Sequence, residues 1–282
     1  MNRIFEWATW LFDPLNQFYE HEHVHRKISV MLVVFFIFSL GVIELRRRQL
    51  LPDALAQVVP SNHFYAIGGA FTVILVLEVI SLIFVLPCSF SHSVGKQFEI
   101  LSLILMRNAF KELSHFQEPV TFVGNEHGVL HILSDGFGAV LIFGLLGVYY
   151  FLQGRGGDKG DQIEDLYSFV AAKKGIALLL LAAFFFMGVR ALHGAVIGDG
   201  DGDFFHDFYT LLIITDILLV LVAQCFHPTF FAVFRNSGFA LSTMIIRFAL
   251  VAPVYYNVLL GLAAIGLAIL MHLISMFLFP DR

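Results

Sequence analysis

The chain has 282 residues, of which 58% are apolar and 14% charged, and 32 are phenylalanine. Soluble domains run at roughly 45–50% apolar and about 25% charged. Composition and a mean hydropathy of +0.81 therefore exclude a soluble globular protein and indicate a polytopic, all-α protein of the lipid bilayer, while a formal charge of −5 supplies no basic surface for nucleic acid.

Residues 1–27 are expected to form an extracytoplasmic N-terminal segment. Trp7, Trp10 and Phe12, ahead of Asp13-Pro14, predict a short interfacial helix over 4–12 with an aromatic anchor. The run EHEHVH at 20–25 is expected to be solvated, with imidazoles that could attract a transition metal.

A helix needs about 20 mainly apolar residues to cross a core of about 30 Å. Six stretches qualify: 28–45, 64–86, 129–152, 175–197, 208–226 and 254–279. The first follows a charged segment and has no small-residue cleavage site after it, so it is expected to be a membrane helix. Two further segments, 96–113 and 236–251, are apolar but charged. Each is expected to be an amphipathic helix that is interfacial or re-entrant, with a spanning course left open. Gly68-Gly69, Gly136, Gly138, Gly144 and Gly147 are expected at close helix contacts.

Basic residues orient the spans. Arg46, Arg47 and Arg48 follow the first, Arg155, Lys159, Lys173 and Lys174 lie in or beside a loop at 153–174, and Arg235 follows the fifth. With six crossings these regions share one side, cytoplasmic by the positive-inside rule. Both termini are then extracytoplasmic, in a plasma (inner) membrane. Cys88 and Cys225 fall near opposite faces, too far apart for a disulfide.

The halves look alike. Residues 28–152 and 175–282 each hold a span, a span bearing a carboxylate, an amphipathic segment bearing an arginine, and a final span. Glu78 precedes Arg107 by 29 residues and Asp216 precedes Arg247 by 31. Three spans per half would make two inverted repeats, a common transporter design.

The stretch from Thr215-Asp216 to Arg247 (TDILLVL, then TFFAVFRNSGFALSTMIIR) resembles the second repeat of TerC-type exporters in the LysE superfamily. Leu105-Met106-Arg107 resembles the end of that family's first repeat, and the likeness covers about a quarter of the chain. The family's Asp-Asn and Asp-Ser motifs are missing, with Leu82-Ile83-Phe84 and Leu221-Val222-Ala223 in their places. The family's metal-ion chemistry therefore does not carry over to these positions.

Ionisable groups at bilayer depth are costly and face a bundle interior or a wet cavity. Glu78 and Asp216 are the candidate intramembrane acids, with Arg107 and Arg247 as their counter-charges and Arg190 as the fallback partner. Most of the 12 histidines gather on the expected outer side. His127, His131 and Asp135 form an i, i+4, i+8 stripe that His193 or His206 could close into a site for zinc, manganese or iron. His131 and His193 could instead flank a haem. The acidic loop GDGDGDFFHD at 198–207 lacks the glycine and glutamate of a calcium loop.

These readings favour transport of a small cation, a divalent metal or a proton-coupled substrate, by a transporter or channel-like protein that is not an enzyme. The alternatives are a metal- or haem-binding membrane oxidoreductase and a non-catalytic subunit of a membrane complex. A homo-oligomer fits any of them.

Overall fold

Without water in the bilayer core, backbone N–H and C=O groups must be bonded within their own segment, so long apolar runs become helices. The computed structural model describes residues 2–50, 52, 59–88, 90–116, 122, 124–156, 166–197, 204–226 and 229–278. Among them are nine α-helices and no strand: α1 (Asn2–Glu20), α2 (Glu22–Arg47), α3 (Phe64–Val85), α4 (Phe90–Glu112), α5 (Glu126–Gly156), α6 (Leu166–Ile197), α7 (Phe204–Phe226), α8 (Phe230–Val251) and α9 (Tyr256–Leu278). Six are long and apolar enough to cross a membrane: Arg26–Arg47, Phe64–Val85, Glu126–Gly154, Tyr167–Ala191, Asp207–Phe226 and Tyr256–Phe277. The protein is a multi-pass membrane protein. The two expected amphipathic helices are α4 and α8.

Neither of these two lies on the surface. With 23 and 22 residues they match the spans in length, and they pack within the bundle. Lys96 of α4 meets Glu78 of α3 at 2.9 Å, and Arg107 reaches Thr72 at 3.5 Å nearer the start of α3. On its other side Ser91 meets Tyr149 of α5 at 2.8 Å, and Glu112 meets His131 at 3.2 Å. α4 thus runs antiparallel to both neighbours over its whole length. α8 likewise runs antiparallel to α9: Ser242 donates to the Ala264 carbonyl at 2.9 Å, and Gly238 abuts Met271 a turn further on.

The amphipathicity of α8 is inside-out. Asn236, Ser242, Thr243 and Arg247 are buried, while Phe230, Phe234, Leu241 and Phe248 are exposed. Lipid receives the apolar face, and the polar groups find partners inside.

Each of the described helices α2 through α9 therefore runs from one end of the bundle to the other. One end gathers Cys88, Lys173 and Phe226: Lys173 donates to the Cys88 carbonyl at 2.9 Å, and Phe169 packs on Phe226 at 5.4 Å. The opposite end gathers Arg47, His63, Asp135 and Asn257, joined by contacts of 3.2 Å between Arg47 and His63 and 2.9 Å between Asn257 and Asp135.

Three expectations are corrected by this path. Arg46–Arg48 lie at the opposite end from Lys173, Lys174 and Arg235. Cys88 and Cys225 share one end, where both are exposed and neither forms a disulfide. The halves are not inverted: four full-length helices per half restore direction, so α3 and α7 run the same way, as do α4 and α8. The physical cause is the same each time. α4 carries too many polar and charged residues to count as an apolar span by hydropathy, yet it reverses the chain, and α8 does the same ahead of α9.

α4 lies between two apolar clusters. Its Ile100 and Ile104 join Val79, Ile83, Leu180, Phe208 and others of α1, α3, α6 and α7. Its Phe98, Leu101 and Leu105 join residues of α5, α8 and α9, including Ile142, Ile246 and Ile265. Burial of such side chains contributes about 1.5–3 kcal/mol each against water, but lipid is as apolar as leucine, so close packing decides the contacts here. Gly138 of α5 lies directly against Val258, and Gly261 of α9 against Ile142. By contrast Gly68, Gly136, Gly144 and Gly147 meet nothing within 4 Å and make no close helix contact.

α1 is longer than expected and continues through Pro14. A proline inside a helix normally costs about 3 kcal/mol. Tertiary contacts hold this one: Lys174 meets Asp13 at 2.6 Å, Phe12 packs edge-on against Phe84 at 5.6 Å, and Tyr19 donates to the Leu77 carbonyl at 2.8 Å. Trp7 and Trp10 remain exposed, in keeping with an aromatic anchor.

Candidate functional site

A buried pair of opposite charges stands where α4, α7 and α8 meet. Asp216, at mid-length of α7, is 8% exposed and Arg247 of α8 is 2% exposed. Arg247 Nη2 lies 3.6 Å from Asp216 Oδ2 and donates a 2.8 Å hydrogen bond to Oε1 of Gln97 on α4. Thr243, one turn before Arg247, and Gln97 both flank the carboxylate. Oδ2 nonetheless accepts no hydrogen bond of proper geometry. Beside it is a cavity of about 20 Å³, with Asp216, Ser93, Gln97 and Thr243 on its polar side and Leu86, Val94, Leu219, Phe239 and Ala240 on its apolar side.

The sequence pattern expected Asp216 and Arg247 to pair, and the structure brings them together. Folding explains why: α7 and α8 are joined by a short connection around Thr229, so Asp216 and Thr243 come level and Arg247 reaches back from the next turn. Long helical side chains point toward their own N-terminus, which for Arg247 means toward Gln97.

Glu78 is paired differently from the expectation. Lys96 Nζ lies 2.9 Å from Glu78 and 2.8 Å from Glu99, and Tyr150 of α5 donates to Glu99 at 2.8 Å. Arg107 sits three turns further along α4, near Thr72 and Tyr209. Arg190 is exposed on α6 and partners neither acid in the contacts described. Sequence reasoning missed Lys96, Gln97, Glu99 and Tyr150. The available signal was distance from the hairpin: Glu78 and Lys96 each stand nine residues from Pro87.

Among the described residues, the outer histidine stripe does not converge on a common metal position. Residues 127–135 are helical as expected, but the three groups diverge. His127 is exposed, His131 meets Glu112 at 3.2 Å, and Asp135 accepts a 2.9 Å hydrogen bond from Asn257. Eight residues of helix span about 12 Å, whereas ligands sit about 2 Å from a shared ion. His193 is exposed on α6, and the His206 side chain falls outside the described residues. Among the described residues no three His, Cys, Asp or Glu side chains could hold a metal ion together. A haem between His131 and His193 is not prepared either: α5 packs on α4 and α9, and α6 on α1 and α7.

No protein family, no curated protein and no solved structure matches this chain. The resemblance of the Asp216–Arg247 region to TerC-type exporters stands on those residues alone.

Proposed function

We propose that this protein transports a small cation across the bilayer, with Asp216 as its intramembrane acid and Arg247 as the counter-charge. One observation carries the reading. A carboxylate and a guanidinium, both more than nine-tenths buried, meet at mid-length of the bundle beside a cavity. Burying two charges costs several kcal/mol each unless geometry and extra hydrogen bonds repay it. Here the ion-pair contact is 3.6 Å and Asp216 Oδ2 lacks a hydrogen bond. That is a poor arrangement for a purely structural ion pair and a suitable one for a carboxylate that exchanges its partner.

The Glu78–Lys96–Glu99 group supports the same reading. Two carboxylates share one ammonium, so the group attracts a further positive charge. Its side chains are 19–33% exposed, giving access that the Asp216 pair lacks.

Orientation belongs to the proposal as well. Arg26, Lys27, Arg155, Lys173, Lys174 and Arg235 belong to the Cys88 end, facing Arg46–Arg48, Lys111 and Arg190 at the other. The positive-inside rule then favours a cytoplasmic Cys88 end, with both termini cytoplasmic. This reverses the assignment drawn from six crossings.

Purified protein in proteoliposomes tests the function. Cation flux that is lost in Asp216→Asn, while the variant keeps its thermal unfolding midpoint, supports transport. Unchanged flux in Asp216→Asn removes Asp216 from the mechanism. Flux no higher than in empty vesicles for protons, sodium, manganese and zinc alike leaves the pair as a packing element.

A further inference from the structure

The cavity beside Asp216 limits what the site can take. At about 20 Å³ it exceeds the roughly 10–15 Å³ that one water requires. It is far too small for a hydrated metal ion. A dehydrated calcium or magnesium ion would need six or more oxygen ligands and zinc four ligands, and any of them would stand beside the Arg247 guanidinium.

The polar groups around the cavity are already half committed, and what remains is specific. Gln97 Oε1 accepts from Arg247 at 2.8 Å and its amide also meets the Asp216 carboxylate, so one N–H remains to donate. Thr243 donates to the Ala240 carbonyl at 2.8 Å, so its Oγ1 lone pairs remain to accept. Asp216 Oδ2 has an unused acceptor position. The Ser93 hydroxyl can donate. Two acceptors and two donors around one probe-sized space match the four hydrogen bonds of one water.

We propose that the cation handled at Asp216 is the proton, and that one water held by Asp216, Ser93, Gln97 and Thr243 delivers it; this rests on the transport reading above. A proton arriving on the water makes a hydronium. One of its O–H bonds breaks and a carboxyl O–H forms, leaving neutral water and neutral Asp216. Release runs the same step backwards. The charged and titratable groups nearest this exchange are Arg247 on α8, Tyr209 on α7 and, beyond Tyr209, Arg107 on α4. Gln97 is the positioning residue. When Asp216 is neutral, Arg247 keeps Gln97 Oε1 as its acceptor and the guanidinium stays in place.

The test uses full-length protein in vesicles with an imposed pH gradient and an internal pH dye. Ala240→Val narrows the cavity, and Ser93→Ala removes one partner of the water without adding bulk. Both are expected to lower proton flux at least about tenfold, the scale of a lost positioned proton partner, with the unfolding midpoint of Ser93→Ala kept. Infrared difference spectra between acid and neutral pH are expected to show a carboxylic-acid band that vanishes in Asp216→Asn and shifts in Ser93→Ala. Wild-type flux in both cavity variants, or an acid band indifferent to Ser93, overturns the proposal. Manganese or zinc flux that depends on Asp216, without proton flux, overturns it while leaving transport standing. Absence of any Asp216-dependent flux defeats the transport reading itself.

Discussion

Lys96 Nζ lies 2.9 Å from Glu78 Oε2, across a hairpin in which each residue is nine positions from Pro87. This contact, and not one with Arg107, neutralises the acid of α3. It also fixes α4 as the antiparallel neighbour of α3. Removing one member of a fully buried pair costs about 3–5 kcal/mol, and the cost is smaller here, where the side chains keep 19% and 27% exposure. Lys96→Met is therefore expected to lower thermal stability, and the exchange Glu78→Lys with Lys96→Glu to restore much of it. A double-mutant cycle in detergent checks this. Coupling of Glu78 to Arg107, with none to Lys96, would contradict the packing described.

For Asp216 and Arg247, Arg247→Met is expected to destabilise the protein by about 3–5 kcal/mol, because it strands a buried carboxylate. Adding Asp216→Asn should recover most of the loss without restoring flux. Thermal unfolding and proteoliposome flux, measured on the same preparations, separate the two effects. Recovery of flux in the double variant would reduce the pair to structural glue.

Cys88 and Cys225 provide a natural probe of the path. Both are exposed thiols outside any disulfide, and both lie where α3 and α7 end. A membrane-impermeant thiol reagent is expected to label Cys88→Ser and Cys225→Ser variants from the same side of oriented vesicles, the cytoplasmic side on the proposed orientation. Labelling from opposite sides would mean that α4 fails to reverse the chain.

Gly138 lies against both methyl groups of Val258, whereas Gly144, on the same helix, meets nothing within 4 Å. A methyl group forced into a packed contact costs about 1–3 kcal/mol, while alanine in an open helical position gains roughly 0.5–1 kcal/mol over glycine. Gly138→Ala should therefore lower the unfolding midpoint and Gly144→Ala should hold or raise it. Val258→Ala should rescue the first. Equal shifts for both glycines would show that α5 and α9 do not touch there.

Much was legible in the residues themselves. Uninterrupted apolar runs must become helices in lipid, so the six spans around Glu78, Asp135, Arg190, Asp216 and the two ends of the chain followed from hydropathy alone. The pairing of Asp216 with Arg247 was also legible, since both are buried charges on consecutive segments with a short connection. Hydropathy could not reveal the place of α4 and α8. It averages over a window, and α8 carries its polar residues on the inward face and its phenylalanines on the outward one, while α4 buries Gln97 and Ser102 beside Phe98 and Leu101. A mean value cannot distinguish that from a helix lying on the membrane surface.

The sequence by itself determined the environment, the helical class and the presence of charges that must be sheltered. Those properties depend on composition and on local backbone satisfaction. Only the tertiary structure decided which end of the bundle each loop reaches, which cation meets Glu78, and that His127, His131 and Asp135 part company. These depend on the number of chain reversals and on which helix faces meet. A single extra traverse moves every later residue to the other end of the bundle. Spacing along one helix constrains direction around its axis but not the 1.5 Å rise per residue that carries ligands apart.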